Sequence, residues 1–298
     1  MTIYSGHLRK MRVQYNGADA PVEYFLNLYN SEGLRAHPEI ALNPLLGQKI
    51  SMYYKQEIHC VACSRKTSKS FNQGHCYPCF TRLASCDKCI MSPEKCHYDA
   101  GTCREPQWGQ DNCMQKHFVY LANSSGIKVG ITRGSQIPTR WVDQGAIQAL
   151  PVFQVNSRYY SGLVEVLYKQ QISDRTQWQR MLKGQVEPID LKQRQQQLYE
   201  LLSPQVEELI VGLKKGEFKD SSEDNVKDNA IVHLDKNSVT EIHYPVLQYP
   251  QKIKSFNLDK QPLFEGSLMG IKGQYLILDT GVINIRKFSG YHIELETV

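Results

Sequence analysis

Two Cys-x2-Cys pairs, Cys60-Val-Ala-Cys63 and Cys76-Tyr-Pro-Cys79, stand twelve residues apart and constrain this chain more than any other feature. Each pair can fold into a tight knuckle whose two sulfurs aim at one ion. Two knuckles complete the tetrahedron that zinc prefers, with no coordination position left open. The spacing predicts a closed structural zinc site on Cys60, Cys63, Cys76 and Cys79, in a zinc-ribbon or knuckle type of module. A redox or iron–sulfur centre, or cross-bracing with a later pair, would use the same cysteines differently. Five more follow, and Cys86, Cys89, Cys96 and Cys103 form the expected second zinc set. Two sites need eight ligands and the chain has 9 cysteines, so Cys113 is left over; His97 or Cys113 can replace a member of the second set.

All of these cysteines lie between residues 60 and 113, where aliphatic residues are scarce. Metal there does the work of a hydrophobic core. This reading requires a compartment that keeps thiols reduced. The N-terminus, MTIYSGHLRKM, lacks the apolar stretch of a secretory signal, and no run approaches the ~18 apolar residues of a membrane helix. A soluble, cytoplasmic protein without membrane contact is expected. At 298 residues and 41% hydrophobic content the chain suits two or three domains with ordinary cores. The formal charge of +5 would suggest a polyanionic partner, but each four-thiolate zinc site carries a formal −2. Local patches, not global charge, must identify a partner.

Read along its length, the chain is α+β. Residues 1–58 alternate as short strands, exemplified by Arg12-Val-Gln-Tyr and Lys49-Ile-Ser-Met-Tyr-Tyr. Residues 59–116 are the cysteine module. Residues 117–188 mix strand and helix signals in a small α/β domain. Residues 189–218 are helical by composition, with Pro204 expected to mark a break or a new start. Residues 219–238 open on a polar, charged run and read as a linker. Residues 239–298 return to strands, including Tyr275-Leu-Ile-Leu and Gly281-Val-Ile-Asn around an Asp-Thr-Gly turn. Gly47-Gln48 and Gly273-Gln274 open similar stretches near the two ends. One reading joins both ends in a single β-barrel-like domain; the simpler reading is chance similarity.

Around the first knuckles, Arg65, Lys66, Lys69 and Arg82 interleave with Phe71, Tyr77 and Phe80. Cations can meet phosphates while aromatics stack on bases. Equally, the aromatics can be the module's small core and the charges its solvated surface.

Residues 117–132 read as a hairpin with its turn at Asn123–Gly126. Placing Tyr120 opposite Lys128 puts Val119, Leu121, Ile127, Val129 and Ile131 on one apolar face. Phe118, Tyr120, Lys128, Gly130 and Thr132 then share the other, and a one-residue slip would mix the sets. Phe118-Val-Tyr120 and Lys128-Val-Gly130, followed by Arg140 and Glu165, resemble the GIY-YIG nuclease superfamily over residues 117–185. Phe118 stands where that family has its first glycine, and Lys128 where it has its second tyrosine. The resemblance implies a small α/β domain with Arg140 on its first helix and Glu165 on its second. Glu165 would hold magnesium or manganese against a phosphate. Tyr120, or a water it holds, would act as base with Lys128 lowering its pKa, and Arg140 would stabilise the transition state.

Each residue also has an ordinary role. Glu165 can pair with Lys169 one helical turn on, Arg140 can be solvated, and Tyr120 can border the core. Trp141 and Trp178 read as core anchors. The expectation is a zinc-containing protein that handles DNA or RNA. It would be either a metal-dependent endonuclease or a non-catalytic binder using the same face. A protein–protein scaffold is the third class.

Overall fold

A computed structural model describes residues 2–216, 218 and 229–297. Six strands lead into the cysteine module: β1 (Thr2–Leu8), β2 (Arg12–Gln14), β3 (Glu23–Leu26), β4 (Leu28–Tyr29), β5 (Ile40–Ala41) and β6 (Lys49–His59). The module contains β7 (Lys66–Thr67) and two short helices, α1 (Tyr77–Arg82) and α2 (Pro106–Asn112). Next come β8 (His117–Asn123), β9 (Ile127–Arg133), α3 (Thr139–Asp143), β10 (Gln148–Val155), α4 (Arg158–Lys169), α5 (Trp178–Leu182) and α6 (Leu191–Lys214). The remaining strands are β11 (Ile231–His233), β12 (Thr240–Glu241), β13 (Leu263–Lys272), β14 (Tyr275–Leu278), β15 (Gly281–Asn284) and β16 (Tyr291–Thr297).

The fold is α+β. The two ends of the chain build one curled sheet in the order β15-β14-β13-β6-β16-β1-β4, with β7 attached to β6. The last strand lies antiparallel between β6 and β1, so Thr2 pairs with Thr297. Alternation drives this closure: Ile50, Met52, Tyr54 and Ile58 of β6 join Tyr291, Ile293 and Leu295 of β16 in the main core. A second sheet, ordered β11-β10-β8-β9 with β12 on β10, carries the α/β part. Residues 231–233, assigned by sequence to a linker, form β11 and pair with β10. The polar residues 219–228 lie outside the described residues.

The β8–β9 hairpin separates two cores. Val119, Leu121, Val129 and Ile131 pack with Val164 and Tyr168 of α4 and with Leu198, Leu202 and Val206 of α6. On the other face Tyr120 and Ala122, with Trp141 of α3, enter the core of the half-barrel. The parity expected from sequence holds, but the register does not. Tyr120 lies opposite Gly130, and Lys128 opposite Ala122. The loop is centred on Ser125 because Ser124 Oγ meets Thr176 Oγ1 at 3.0 Å and Ser125 Oγ accepts from Gln177 N at 2.8 Å. That shift moves every cross-strand partner by two positions and leaves the faces unchanged. Gly130 has a steric duty: a Cβ there would stand 2.6 Å from Tyr120 Oη, so the phenol crosses the space a side chain would fill.

Two helices need comment. Helix α6 runs through Pro204 without breaking. Proline removes the N–H that Glu200 O would accept, and Ser203 Oγ donates to that carbonyl at 3.4 Å. Helix α4 is capped by Ser157, whose Oγ accepts from Tyr160 N at 3.3 Å. At Gly162 a Cβ would stand 2.5 Å from Glu94 N, so only glycine lets α4 seat on the Pro93–Lys95 turn of the cysteine module. Among the described residues no helix is long and apolar enough to cross a membrane.

Candidate functional site

The first knuckle is the β6–β7 hairpin, which carries Cys60 at its root and Cys63 in its turn. The second is the start of α1, with Cys76 at the N-cap and Cys79 inside. The four sulfurs lie within 4.8 Å of one another, and Cys63 Sγ to Cys76 Sγ is 3.7 Å. A zinc tetrahedron with bonds of ~2.3 Å has edges of ~3.8 Å, so the donor set fits the ion. Burial pushes the Cys60 thiol up, but the backbone N–H groups of Cys76, Ala62 and Cys63 more than offset this and leave it lowered to about 7. Such N–H···S contacts favour the thiolate that zinc requires.

The other cysteines divide differently from the sequence grouping. Cys89, Cys96, Cys103 and Cys113 line one small cavity of about 20 Å³, beside His97, Tyr98 and Trp108. Cys86 stands apart from it, its sulfur accepting from Asn72 Nδ2 at 3.3 Å. Among the described residues of this region, Asp87, Cys89 and His97 bring ligand atoms within 4.8 Å of one another. Cys86 does not line the cavity, whereas Cys113, left over by the sequence spacing, does. The rest of α2 brings it there: its N–H bonds to Gly109 O at 2.7 Å at the helix end. Burial, followed by neighbouring acidic and thiol groups, pushes Cys89 up to about 11; burial also pushes Cys113 up to about 11. A bound cation would reverse both shifts. His97 bonds instead to Thr102 Oγ1 at 2.8 Å and faces Asp87 at 3.5 Å, with Arg104 also on Asp87 at 2.8 Å.

The patch expected to touch nucleic acid lies on the surface. Arg65, Lys66, Lys69 and Arg82 are exposed; Lys66 pairs with Glu57 at 3.1 Å and Lys69 lies over the Phe71 ring at 5.4 Å. Phe71 stacks on Phe80 at 5.7 Å and meets Tyr77 edge-on at 5.5 Å, which makes a small local core.

A different basic surface opens where the three parts of the chain meet. A cleft of about 490 Å³ is lined by Arg9, Lys10 and Arg286 of the half-barrel and by Arg133, Arg140 and Arg158 of the α/β part. Residues of the cysteine module, His75 among them, form its remaining wall, and no carboxylate lines it. Lys10 pairs with Asp143 at 3.0 Å. Among the described residues the five arginines have no carboxylate within 4.0 Å. Burial lowers the Arg9, Arg158 and Arg286 guanidiniums below their usual range, but an arginine stays charged. The cysteine module holds two of them in place. Arg158 Nη2 donates to Ile90 O at 2.7 Å, its backbone N–H bonds to Cys113 O at 2.8 Å, and Arg133 donates to Asn112 of α2.

Of the four residues read as catalytic, only Arg140 lines this cleft. Tyr120 is fully buried; Oη donates to Gln144 Oε1 at 2.9 Å, and the Arg140 guanidinium acts on it electrostatically. Burial raises its pKa above the ordinary 10.0 despite the nearby guanidinium. Lys128 is 3% exposed, and burial lowers it to about 8. Glu165 is buried on α4 and paired with Lys169 at 3.1 Å, as the ordinary reading of its i+4 neighbour expects. Burial raises its pKa, and Lys169 opposes that rise. Arg140 and Glu165 each act electrostatically on Tyr120 and Lys128, which are buried while Arg140 reaches the cleft. Glu165 belongs to no group of three or more potential metal ligands among the described residues.

Sequence reasoning missed Arg9, Lys10, Arg133, Arg158 and Arg286. They are dispersed over nearly the whole chain, and no local pattern announces a cleft assembled from three parts. No curated protein and no solved structure matches the chain. The family described as "Protein of unknown function (DUF2797)" matches residues 47–293, from β6 through the cysteine module and the arginine cleft into β16. The chain belongs to the DUF2797 family.

Proposed function

We propose that this protein binds the sugar-phosphate backbone of single-stranded DNA or RNA in the junction cleft, and that it does so without cutting it. The carrying observation is the concentration of five arginines and a lysine around about 490 Å³ with no lining carboxylate. Clustering unpaired cations costs stability through mutual repulsion, so such a group calls for an anionic ligand. The volume falls in the ~300–1,000 Å³ range of sites for a small ligand, which suits one or two nucleotides of a single strand and not a duplex. Guanidiniums recognise phosphate through paired N–H groups.

The order hairpin, helix, strand, helix, with Arg140 on α3 and Glu165 on α4, supports a GIY-YIG-like ancestry for the α/β part. Burial of Tyr120 against the half-barrel argues for loss of chemistry. A phenol with no solvent access and a raised pKa is a poor base, and Glu165 is already neutralised by Lys169. Zinc at Cys60, Cys63, Cys76 and Cys79, and a second ion at Cys89, Cys96, Cys103 and Cys113, would brace the wall that anchors Arg133 and Arg158. The first test is direct. Fluorescence anisotropy with a labelled oligonucleotide should show binding that weakens with salt, and plasmid and RNA should stay intact in Mg²⁺ or Mn²⁺. Binding that does not respond to salt, or divalent-dependent nicking abolished by Glu165→Ala, would overturn the reading.

A further inference from the structure

Away from the cysteines and the cleft, three neighbouring strands of the half-barrel place three imidazoles around one carboxylate. His7 of β1 and His292 of β16 are direct cross-strand partners. Glu57 and His59 lie two apart on β6, on the side opposite Ile58 and its core. The pairing of β6 with β16 shifts at this level, between Tyr291 and Ile293, and Gln56 takes φ 60. A bulge of this kind re-aims the side chains beside it, here Glu57 toward His292.

The proton positions can be read from the partners. His7 Nδ1 lies 3.1 Å from Tyr29 O, and a carbonyl only accepts, so Nδ1 carries the hydrogen. Nε2 is then a bare lone pair. It is buried, has no hydrogen-bond partner, and lies 3.8 Å from Glu57 Oε1. A lone pair turned toward a carboxylate oxygen is repulsive unless something cationic stands between them. His59 Nε2 reaches the same oxygen at 2.9 Å, while its Nδ1 faces Ser31 O at 3.4 Å. The His292 ring sits 4.7 Å from that of His7, centroid to centroid. Lys66 holds the other Glu57 oxygen at 3.1 Å and so fixes which oxygen faces the imidazoles.

We infer that His7, Glu57 and His292, with His59 beside them, form a site for a divalent first-row transition ion such as zinc, cobalt or nickel. One ligand atom from each of His7, Glu57 and His292 lies within 4.8 Å of the others. An ion with bonds of ~2.1 Å spans ligand pairs up to ~4.2 Å apart, so small side-chain rotations close the triangle. Two imidazoles, which are borderline donors, beside a single hard carboxylate suit these ions better than calcium or magnesium. On His7 the outer hydrogen bond repeats the pattern of metal-bound histidine, in which the second ring nitrogen donates to a carbonyl, and His292 Nε2 meets Ser5 Oγ at 3.0 Å. Burial keeps His7 neutral, lowered to about 4, and the Lys66 contact keeps Glu57 ionised, so both ligands are in their binding states near neutral pH. Glu57 is only half-buried, so one side of the ion faces solvent and would hold water. The ion would tie β1, β6 and β16 together.

The test uses the full-length protein with its cysteine sites zinc-filled and titrates Co²⁺ by calorimetry and visible absorption. One further equivalent is expected, giving weak visible bands without the intense near-ultraviolet bands of cobalt–thiolate bonds. Glu57→Gln and His292→Gln, both at partly exposed positions, should weaken uptake at least ~10-fold while far-ultraviolet circular dichroism stays unchanged. His7→Gln should abolish uptake, but its burial makes it the secondary variant. No additional cobalt, thiolate-type bands only, or equal uptake by Glu57→Gln and His292→Gln would overturn the assignment.

Discussion

Arg286→Gln is the most discriminating perturbation of the cleft. Arg286 stands on the turn before β16, has no carboxylate within 4.0 Å among the described residues, and feels Asp143 as an opposite charge and, less strongly, Arg140 as a like charge. If the arginines together neutralise the one or two phosphates that the cleft can hold, binding of a single strand should show a log–log salt slope of about −0.7 to −1.4, at about −0.7 per phosphate. Removing one arginine should make that slope shallower by up to about 0.7. A hydrogen bond to a charged group contributes ~1.5–3 kcal/mol, reduced by solvent in a half-open cleft to about 1–2 kcal/mol. Affinity should therefore fall about 5- to 30-fold at physiological salt. The same substitution removes the burial cost of the charge together with its attraction to Asp143, so the melting temperature should change little. Anisotropy titrations over a salt series, paired with thermal unfolding, read both quantities. Unchanged affinity and slope, or a destabilised fold, would refute the reasoning by making Arg286 a structural residue.

Other outcomes follow from the same geometry. Zinc released by a thiol-specific mercurial should amount to about two ions per chain; Cys113→Ser should lower it to about one, and Cys86→Ser should leave it unchanged. Gly130→Ala should destabilise by ~1–3 kcal/mol in chemical denaturation, because its Cβ would stand 2.6 Å from Tyr120 Oη. Lys272 is 1% exposed, over the rings of Tyr244 and Tyr249, and burial lowers it to about 8. The unfolded chain then binds more protons between about pH 8 and the ordinary 10.5, so this group's contribution makes stability rise with pH across that window. Lys272→Met should stabilise the protein by roughly 1–3 kcal/mol at pH 7 and flatten that rise, as read by urea titrations at a series of pH values.

The parts of this fold legible in the sequence are those set by local rules. Two knuckles twelve residues apart brought Cys60, Cys63, Cys76 and Cys79 together, because the spacing itself builds the tetrahedron. Parity assigned the hairpin faces correctly even though the register moved by two, since alternation survives an even shift. Serine contacts to Thr176 and Gln177, some fifty residues away, set the loop, and nothing near residue 124 encodes them. Sequence spacing offers no place for Cys113 beside Cys89, Cys96 and Cys103, because α2 and not a short knuckle brings it to their cavity. The hairpin face that carries Tyr120 and Lys128, expected to hold catalytic groups, is closed to solvent. It is sealed because the half-barrel, made from both ends of the chain, packs Ile271 and Leu276 into the core that holds Tyr120 and Trp141. For the same reason the arginine cleft and the histidine cluster were invisible: each joins residues more than 270 positions apart through sheet closure.

Hydrogen–deuterium exchange with and without a short single-stranded oligonucleotide tests the central claim most directly. The account expects protection to appear together in residues 72–75, 131–140, 158 and 286–289, which meet only in the junction cleft. Protection confined to the exposed face around Arg65, Lys69 and Arg82, or none at saturating oligonucleotide, would contradict it.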